Sequence, residues 1–149
     1  MKIVFLMGSK SDKDFAQKIA DILDEWEVKN EMIVASAHKV PEKVYEIVMK
    51  NNNDESDLVY ITIAGRSNGL SGVTAANSIH PVIACPPHKD KDDFMVNINS
   101  TLMMPSDTPV LTVVDPKNAA MAAIRILALN NDELKKKVEQ RIKDIKQSF

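Results

Sequence analysis

Apolar residues come in blocks along this chain, and their period switches repeatedly between that of a strand and that of a helix. Lys2–Met7 is apolar after its first residue, too short for a helix and ended by Gly8-Ser9, which predicts a buried strand. From Ser11 the spacing turns helical. Phe15, Ile19, Ile22, Leu23 and Trp26 share one face, and Ser11 and Asp12 are suited to cap its start. Glu31–Ala35 predicts a second strand. Pro41 then sits where the first residue of a helix belongs, with Val44, Tyr45, Val48 and Met49 as its apolar face and Asn51-Asn52-Asn53 at its end. Asp57–Ala64 is rich in β-branched residues and predicts a central strand. Beyond it, Val73–Ile79 predicts a short helix and Pro81–Ala84 a short strand. Pro86-Pro87 forces an irregular connection before a helix over Phe94–Leu102. Pro109–Val114 is the fifth predicted strand. Asp115-Pro116 starts an Ala-rich helix ending near Leu129, and a last helix, Asp132 to Gln147, carries only Leu134, Val138, Ile142 and Ile145 on its apolar side.

Five strands alternating with helices through short loops predict an α/β fold with a parallel, doubly wound sheet. Nothing divides residues 1–149: there is no repeat, linker or shift of composition, so one domain is expected. The 19 basic residues nearly balance the 21 acidic ones, which removes the basic footprint of a nucleic-acid binder. No apolar run reaches the roughly 18 residues of a membrane span, and Ile3–Met7 is too short for a secretory core. The single cysteine, Cys85, cannot form an internal disulfide, so a reducing, cytoplasmic setting is expected. With no second cysteine, a metal or redox role for it is not expected.

Glycine is scarce. There are four, where average usage would give about ten. Three of them, Gly65, Gly69 and Gly72, fall in one short segment, and the expectation is that they sit where the backbone needs them. Ligands of open α/β sheets bind at the carboxyl ends of the strands. Three predicted ends carry unusual clusters: Gly8-Ser9-Lys10-Ser11-Asp12, Ser36-Ala37-His38-Lys39, and Gly65-Arg66-Ser67-Asn68-Gly69-Leu70-Ser71-Gly72. Each joins small or hydroxyl residues to a helix N-terminus, an arrangement that suits an anion such as phosphate. Neither a Walker P-loop nor a Rossmann glycine pattern is present. Ser9, Ser11 and Asp12 also fit a plain capping role. His38 alone is equally compatible with a satisfied polar residue, but its place between Ser36 and Lys39 makes it a candidate base. Arg66 fits an anion contact or a surface ion pair. His80 and His88 lack ligand-spaced partners and read as structural or exposed; Met7, Met103 and Met104 read as core or pocket wall.

Taken together, the three clusters resemble the phosphoribosylaminoimidazole carboxylase (PurE-type) family of purine biosynthesis. Pro81-Val82 with Cys85-Pro86-Pro87, and Leu102 with Met104-Pro105-Ser106, extend the resemblance over nearly the whole chain. One type within the family is a mutase acting on N5-carboxyaminoimidazole ribonucleotide, with arginine after the histidine and a second histidine in the glycine loop. The other joins CO2 directly to 5-aminoimidazole ribonucleotide (AIR). Lys39 and Gly69 match the second type. One departure is Asp107 after Ser106, where relatives often carry glycine, which leaves the shape of that loop open.

The resemblance implies a flavodoxin-like three-layer fold and a homo-oligomer, a tetramer or octamer. The thin apolar stripe of the last helix suits docking on a neighbouring subunit, and equally a place on its own. It implies no metal, ATP or biotin, and neither nucleic acid nor membrane as a partner. In this reading His38 is the acid/base at C4 of AIR, because the new carbon–carbon bond leaves a proton to be removed near neutral pH. Lys39 faces the incoming carboxyl group. Ser67 and the backbone of Gly65, Arg66, Asn68, Gly69 and Leu70 form the CO2 pocket. Ser9, Ser11, Asp12 and Ser36 bind the nucleotide, with Asp12 accepting from ribose hydroxyls and the phosphate assisted by Lys39 or Arg66. A non-catalytic nucleotide-binding regulator on the same scaffold is the alternative from another class.

Overall fold

The five apolar runs pair side by side in a computed structural model that describes all 149 residues. Strands β1 (Lys2–Met7), β2 (Asn30–Val34), β3 (Leu58–Ile63), β4 (Val82–Ala84) and β5 (Leu111–Thr112) form one parallel sheet in the order β2-β1-β3-β4-β5. Along β1 and β3 the register runs from Lys2 opposite Leu58 to Met7 opposite Ile63. Six helices follow in chain order: α1 (Lys13–Glu25), α2 (Pro41–Asn52), α3 (Gly69–Asn77), α4 (Lys91–Leu102), α5 (Pro116–Leu127) and α6 (Asp132–Gln147).

Side-chain alternation along the strands explains why they read as continuous apolar runs. Ile3, Phe5 and Met7 point into a core with Ile19 and Leu23 of α1 and Ala120 and Ile124 of α5. Val4 and Leu6 point the other way, onto Val44 and Val48 of α2 and Leu70 and Ala75 of α3. A sheet covered on both faces needs apolar residues at every position, so period two disappears. The result is the expected flavodoxin-like three-layer sandwich, and its strand order reverses between β1 and β3, where such sheets open a ligand crevice.

Several boundaries move from their predicted places. Helix α3 begins at Gly69 rather than Val73, because the Asn68 side chain accepts the Ser71 N–H at 3.2 Å and caps it. Asp90 does the same for Asp93 at 2.8 Å, starting α4 three residues before Phe94. At the sheet edge only Leu111–Thr112 of the predicted fifth strand pair. In α6, Leu134 and Val138 are buried in the chain's own core, whereas Ile145 is 44% exposed, so the first turns of this helix dock on their own subunit. Lys137 reinforces that docking through an ion pair with Glu27.

Glycine is used here for its missing Cβ, not its conformational freedom. No glycine has a positive φ; the left-handed positions belong to Glu27 (58°), Arg66 (62°) and Asp107 (62°). Glu27 ends α1 in a Schellman pattern, with Val28 N–H bonded to Leu23 O and its own N–H to Asp24 O. Asp107 is exposed and its carboxylate makes no hydrogen bond. A left-handed residue with a Cβ costs roughly 1–2 kcal/mol, and glycine adds back about 0.5–1 kcal/mol of unfolded-chain entropy. Asp107→Gly is therefore expected to raise the melting temperature by about 2 °C. An unchanged or lower transition in a thermal melt would show that the loop carries no such strain.

Candidate active site

Loops after β1, β2, β3 and β4 surround a cavity of about 610 Å³ at the carboxyl end of the sheet. The first loop supplies Gly8, Ser9, Ser11 and Asp12. Lys10–Asp12 is a single 3-10 turn closed by a capping box: Ser9 Oγ accepts the Ser11 N–H at 3.3 Å, and the Asp12 carboxylate accepts the Ser9 N–H at 2.9 Å. Capping and a place in the cavity therefore coincide in the same residues. Burial pushes the Asp12 carboxyl above its ordinary range, and the Ser9 N–H partly offsets this.

The second loop brings in Ser36, Ala37, His38 and Lys39 on a turn held by Lys39 and Val40 N–H groups bonded to Ser36 O. The third contributes Ala64, Gly65, Arg66, Ser67 and Leu70. Gly69 stands directly behind the catalytic candidate: a Cβ built on it would lie 3.0 Å from His38 Nε2. Ten of the twelve expected site residues thus line one cavity, and Gly69 touches it through His38. Asn68 is the exception. Its side chain is buried, accepts from Ser71 N–H and Oγ, and donates to Thr101 Oγ1 at 3.0 Å. With both ends of its amide engaged, the Asn68 side chain shapes the loop and does not line the cavity.

A fourth wall was not anticipated from the sequence. Pro87, His88, Lys89, Asp93 and Asn97 come from the β4–α4 connection, and Phe15 and Lys18 from α1. The His88 ring lies edge-on to Phe94 at 5.3 Å and Phe15 at 6.0 Å, which fixes it as part of the rim. The double proline marked the connection, but nothing in its spacing tied it to the other three loops.

Four cations, Lys18, Lys39, Arg66 and Lys89, face the cavity against the carboxylates Asp12, Asp14 and Asp93. None of the four is paired with a carboxylate; the ion pairs lie elsewhere, at Lys2 and Lys137. Unpaired cations beside helix N-termini leave the site competent to bind an anion with more than one charge.

The remaining candidates fall outside. His80 bonds the Asn51 carbonyl at 3.1 Å, next to the Asn51–Tyr60 hydrogen bond, and does not line the cavity. Cys85 is buried, its thiol pushed up to about 12 chiefly by desolvation, so it is no nucleophile. Met7 is core and Met104 reaches Gly72, but Met103 is 83% exposed and is neither core nor wall. A larger groove, about 1000 Å³, runs between α6 and the α1 and α5 surfaces; it holds no histidine and none of the strand-end clusters. No helix is long and apolar enough to cross a membrane.

Residues 2–148 match the family described as AIR carboxylase. A phosphoribosylaminoimidazole carboxylase of Archaeoglobus fulgidus is 45% identical over 140 residues, covering 94% of this chain and 76% of that protein. An N5-carboxyaminoimidazole ribonucleotide mutase of Methanocaldococcus jannaschii is 43% identical over 138 residues, covering 91% of this chain and 85% of that one. The crystal structure of Treponema denticola PurE superposes with a TM-score of 0.90 at 36% identity, covering 98% of this chain and 92% of that one.

Proposed function

The chain belongs to the AIR carboxylase family, and we propose that within this family of purine-biosynthetic enzymes it adds CO2 to C4 of AIR, reversibly, giving 4-carboxy-5-aminoimidazole ribonucleotide (CAIR) without ATP, metal or biotin. The observation that carries this reading is the contact between Gly69 and His38. Where the mutase type has a second histidine, this loop places a backbone so close to the His38 ring that even a Cβ is crowded at 3.0 Å. No second histidine side chain can then stand at that loop position beside His38.

The chemistry follows from the arrangement. Ring electrons of AIR, driven by its amino group, form the bond from C4 to the carbon of CO2, and one C–O π pair moves onto oxygen. The C4–H bond then breaks, its electrons restore the aromatic ring, and the proton passes to His38. Lys39, unpaired and beside His38, stabilises the negative charge that appears on the new carboxylate. Ser67 and the close backbone at Gly65 hold the small uncharged CO2 in a compact space. Ser9, Ser11, Asp12 and Ser36 take the ribose phosphate end: Asp12 accepts from ribose hydroxyls, and the hydroxyls and helix N-termini take the phosphate with Lys39 or Arg66 as counter-ion.

The mutase reading has its own support in the Methanocaldococcus relative. Assaying the purified protein with AIR and CO2 against the N5-carboxylated nucleotide separates the two. Turnover of AIR is expected; turnover of the second substrate alone would overturn the proposal. A protein that binds AIR but never exchanges its C4 proton with deuterated solvent would instead be the regulator.

A homo-oligomer, a tetramer or octamer in the cytoplasm, is part of the same proposal. Met95, Val96, Leu102, Met103, Leu111 and Leu129 are large, apolar and exposed on the single chain, which supports a surface that a second copy covers. The outer half of α6, with Ile145 uncovered, fits docking on a neighbour.

A further inference from the structure

Helix α4 is attached to the fold in an unusual way. Its two buried residues, Asn97 and Thr101, are both polar, while Met95, Val96 and Leu102 face outward. The buried polar face is spent on the glycine loop. Asn97 Oδ1 accepts the Arg66 N–H at 2.6 Å, Ser100 Oγ accepts the Asn68 N–H at 2.7 Å, and Thr101 Oγ1 accepts from the Asn68 amide at 3.0 Å. The other end of the Asn97 side chain donates to Pro87 O at 2.6 Å.

We propose that Asn97 is a positioning residue for the carboxyl pocket, locking the Gly65–Arg66 backbone to the Pro86–Pro87 segment so that Ser67 and the close backbone at Gly65 meet CO2 in register. The inference rests on the reading of that loop as the pocket. Three observations converge on the one side chain. Arg66 is held at φ 62°, a conformation a non-glycine residue keeps only when its surroundings enforce it. Gly65 is pressed against Asn97 so closely that a Cβ would meet its amide at 3.1–3.2 Å. Finally, the two walls offer opposite needs, a donor from Arg66 and an acceptor from Pro87. Only an amide answers both with one planar group; a carboxylate answers the first and repels the second, and an aliphatic residue answers neither.

Asn97→Ala and Asn97→Asp test this together. In Asn97→Ala the loop loses both ties, and kcat is expected to fall by about 10²-fold, because a displacement on the order of 1 Å is that costly at a reacting centre. Nucleotide affinity should stay within about threefold, since Ser9, Asp12 and Ser36 lie on other loops. Amide exchange should accelerate at residues 66–69 but not within β3. Asn97→Asp keeps the acceptor for Arg66, so it should retain slow exchange at that amide and recover part of kcat. The proposal is overturned if both variants keep kcat near wild type. It is equally overturned if kcat, affinity and melting temperature fall together with unchanged loop exchange, or if Asn97→Asp is as impaired as Asn97→Ala. A wild-type protein that turns over only the N5-carboxylated nucleotide would refute the CO2 reading alone; the same kcat and exchange pattern, measured with that substrate, still decides the role of Asn97.

Discussion

Replacing His38 by asparagine is expected to lower carboxylation by about 10²–10⁴-fold and to leave nucleotide affinity and stability nearly unchanged. The separation of effects follows from where the ring sits. His80 and His88 each meet a backbone oxygen, but the His38 ring makes no hydrogen bond within the protein and is exposed to the cavity. Its turn is held instead by backbone bonds to Ser36 O, which asparagine preserves. No hydrogen bond of the fold is lost with the imidazole, only the group proposed to take the C4 proton. Steady-state rates with AIR and CO2, beside a nucleotide titration and a thermal melt, check this. Turnover near wild type would remove His38 from the mechanism.

Gly69→Ala should separate activity from stability in the opposite sense, with a fold as stable as before or more so and a damaged site. Gly69 is the first residue of α3, and its φ is not positive, so alanine is compatible with the backbone and improves helix propensity by up to about 1 kcal/mol. The added methyl, however, would stand 3.0 Å from His38 Nε2 and 3.1 Å from Cε1. What gives way is the ring, because it is the exposed end of a side chain, whereas the methyl is fixed to the start of a helix. The base then moves by a few tenths of an ångström from C4, and kcat should drop by about 10–10²-fold with nucleotide binding intact. Full activity in a folded Gly69→Ala protein would mean that the contact does not set the position of His38.

The layered fold is legible because burial on both faces of the sheet leaves a continuous apolar run at Lys2–Met7 that no helix period explains, and because Asp57–Ala64 is rich in β-branched residues. The pattern fails wherever an element is held by polar contacts. Helix α4 gives no apolar stripe facing inward; its inner face is Asn97 and Thr101, so both its start and its tie to the glycine loop were hidden. The start of α3 was hidden because Gly69 and Gly72 look like loop residues until Asn68 is seen to cap them. The edge strand was overestimated, since β5 has a partner on one side only and pairs through two residues. Most of the site was legible, because three short clusters each end a strand and parallel strands bring those ends together. The place of Asn68 outside the cavity is not legible, because a polar residue that lines a binding loop and one that builds it look the same in one dimension. At Gly65 and Gly69 it is the close approach of Asn97 and His38, and not a positive φ, that excludes a side chain.

The central claim, that CO2 itself is the carboxyl donor, is tested most directly by following isotopically labelled CO2 into the nucleotide. Purified protein mixed with AIR and labelled CO2 in the absence of ATP should place the label on the C4 carboxylate of CAIR, at a rate that rises with CO2 concentration and falls by about 10²–10⁴-fold in the His38→Asn variant. Unlabelled CAIR formed only from the N5-carboxylated nucleotide, with no label entering from CO2, would contradict the account.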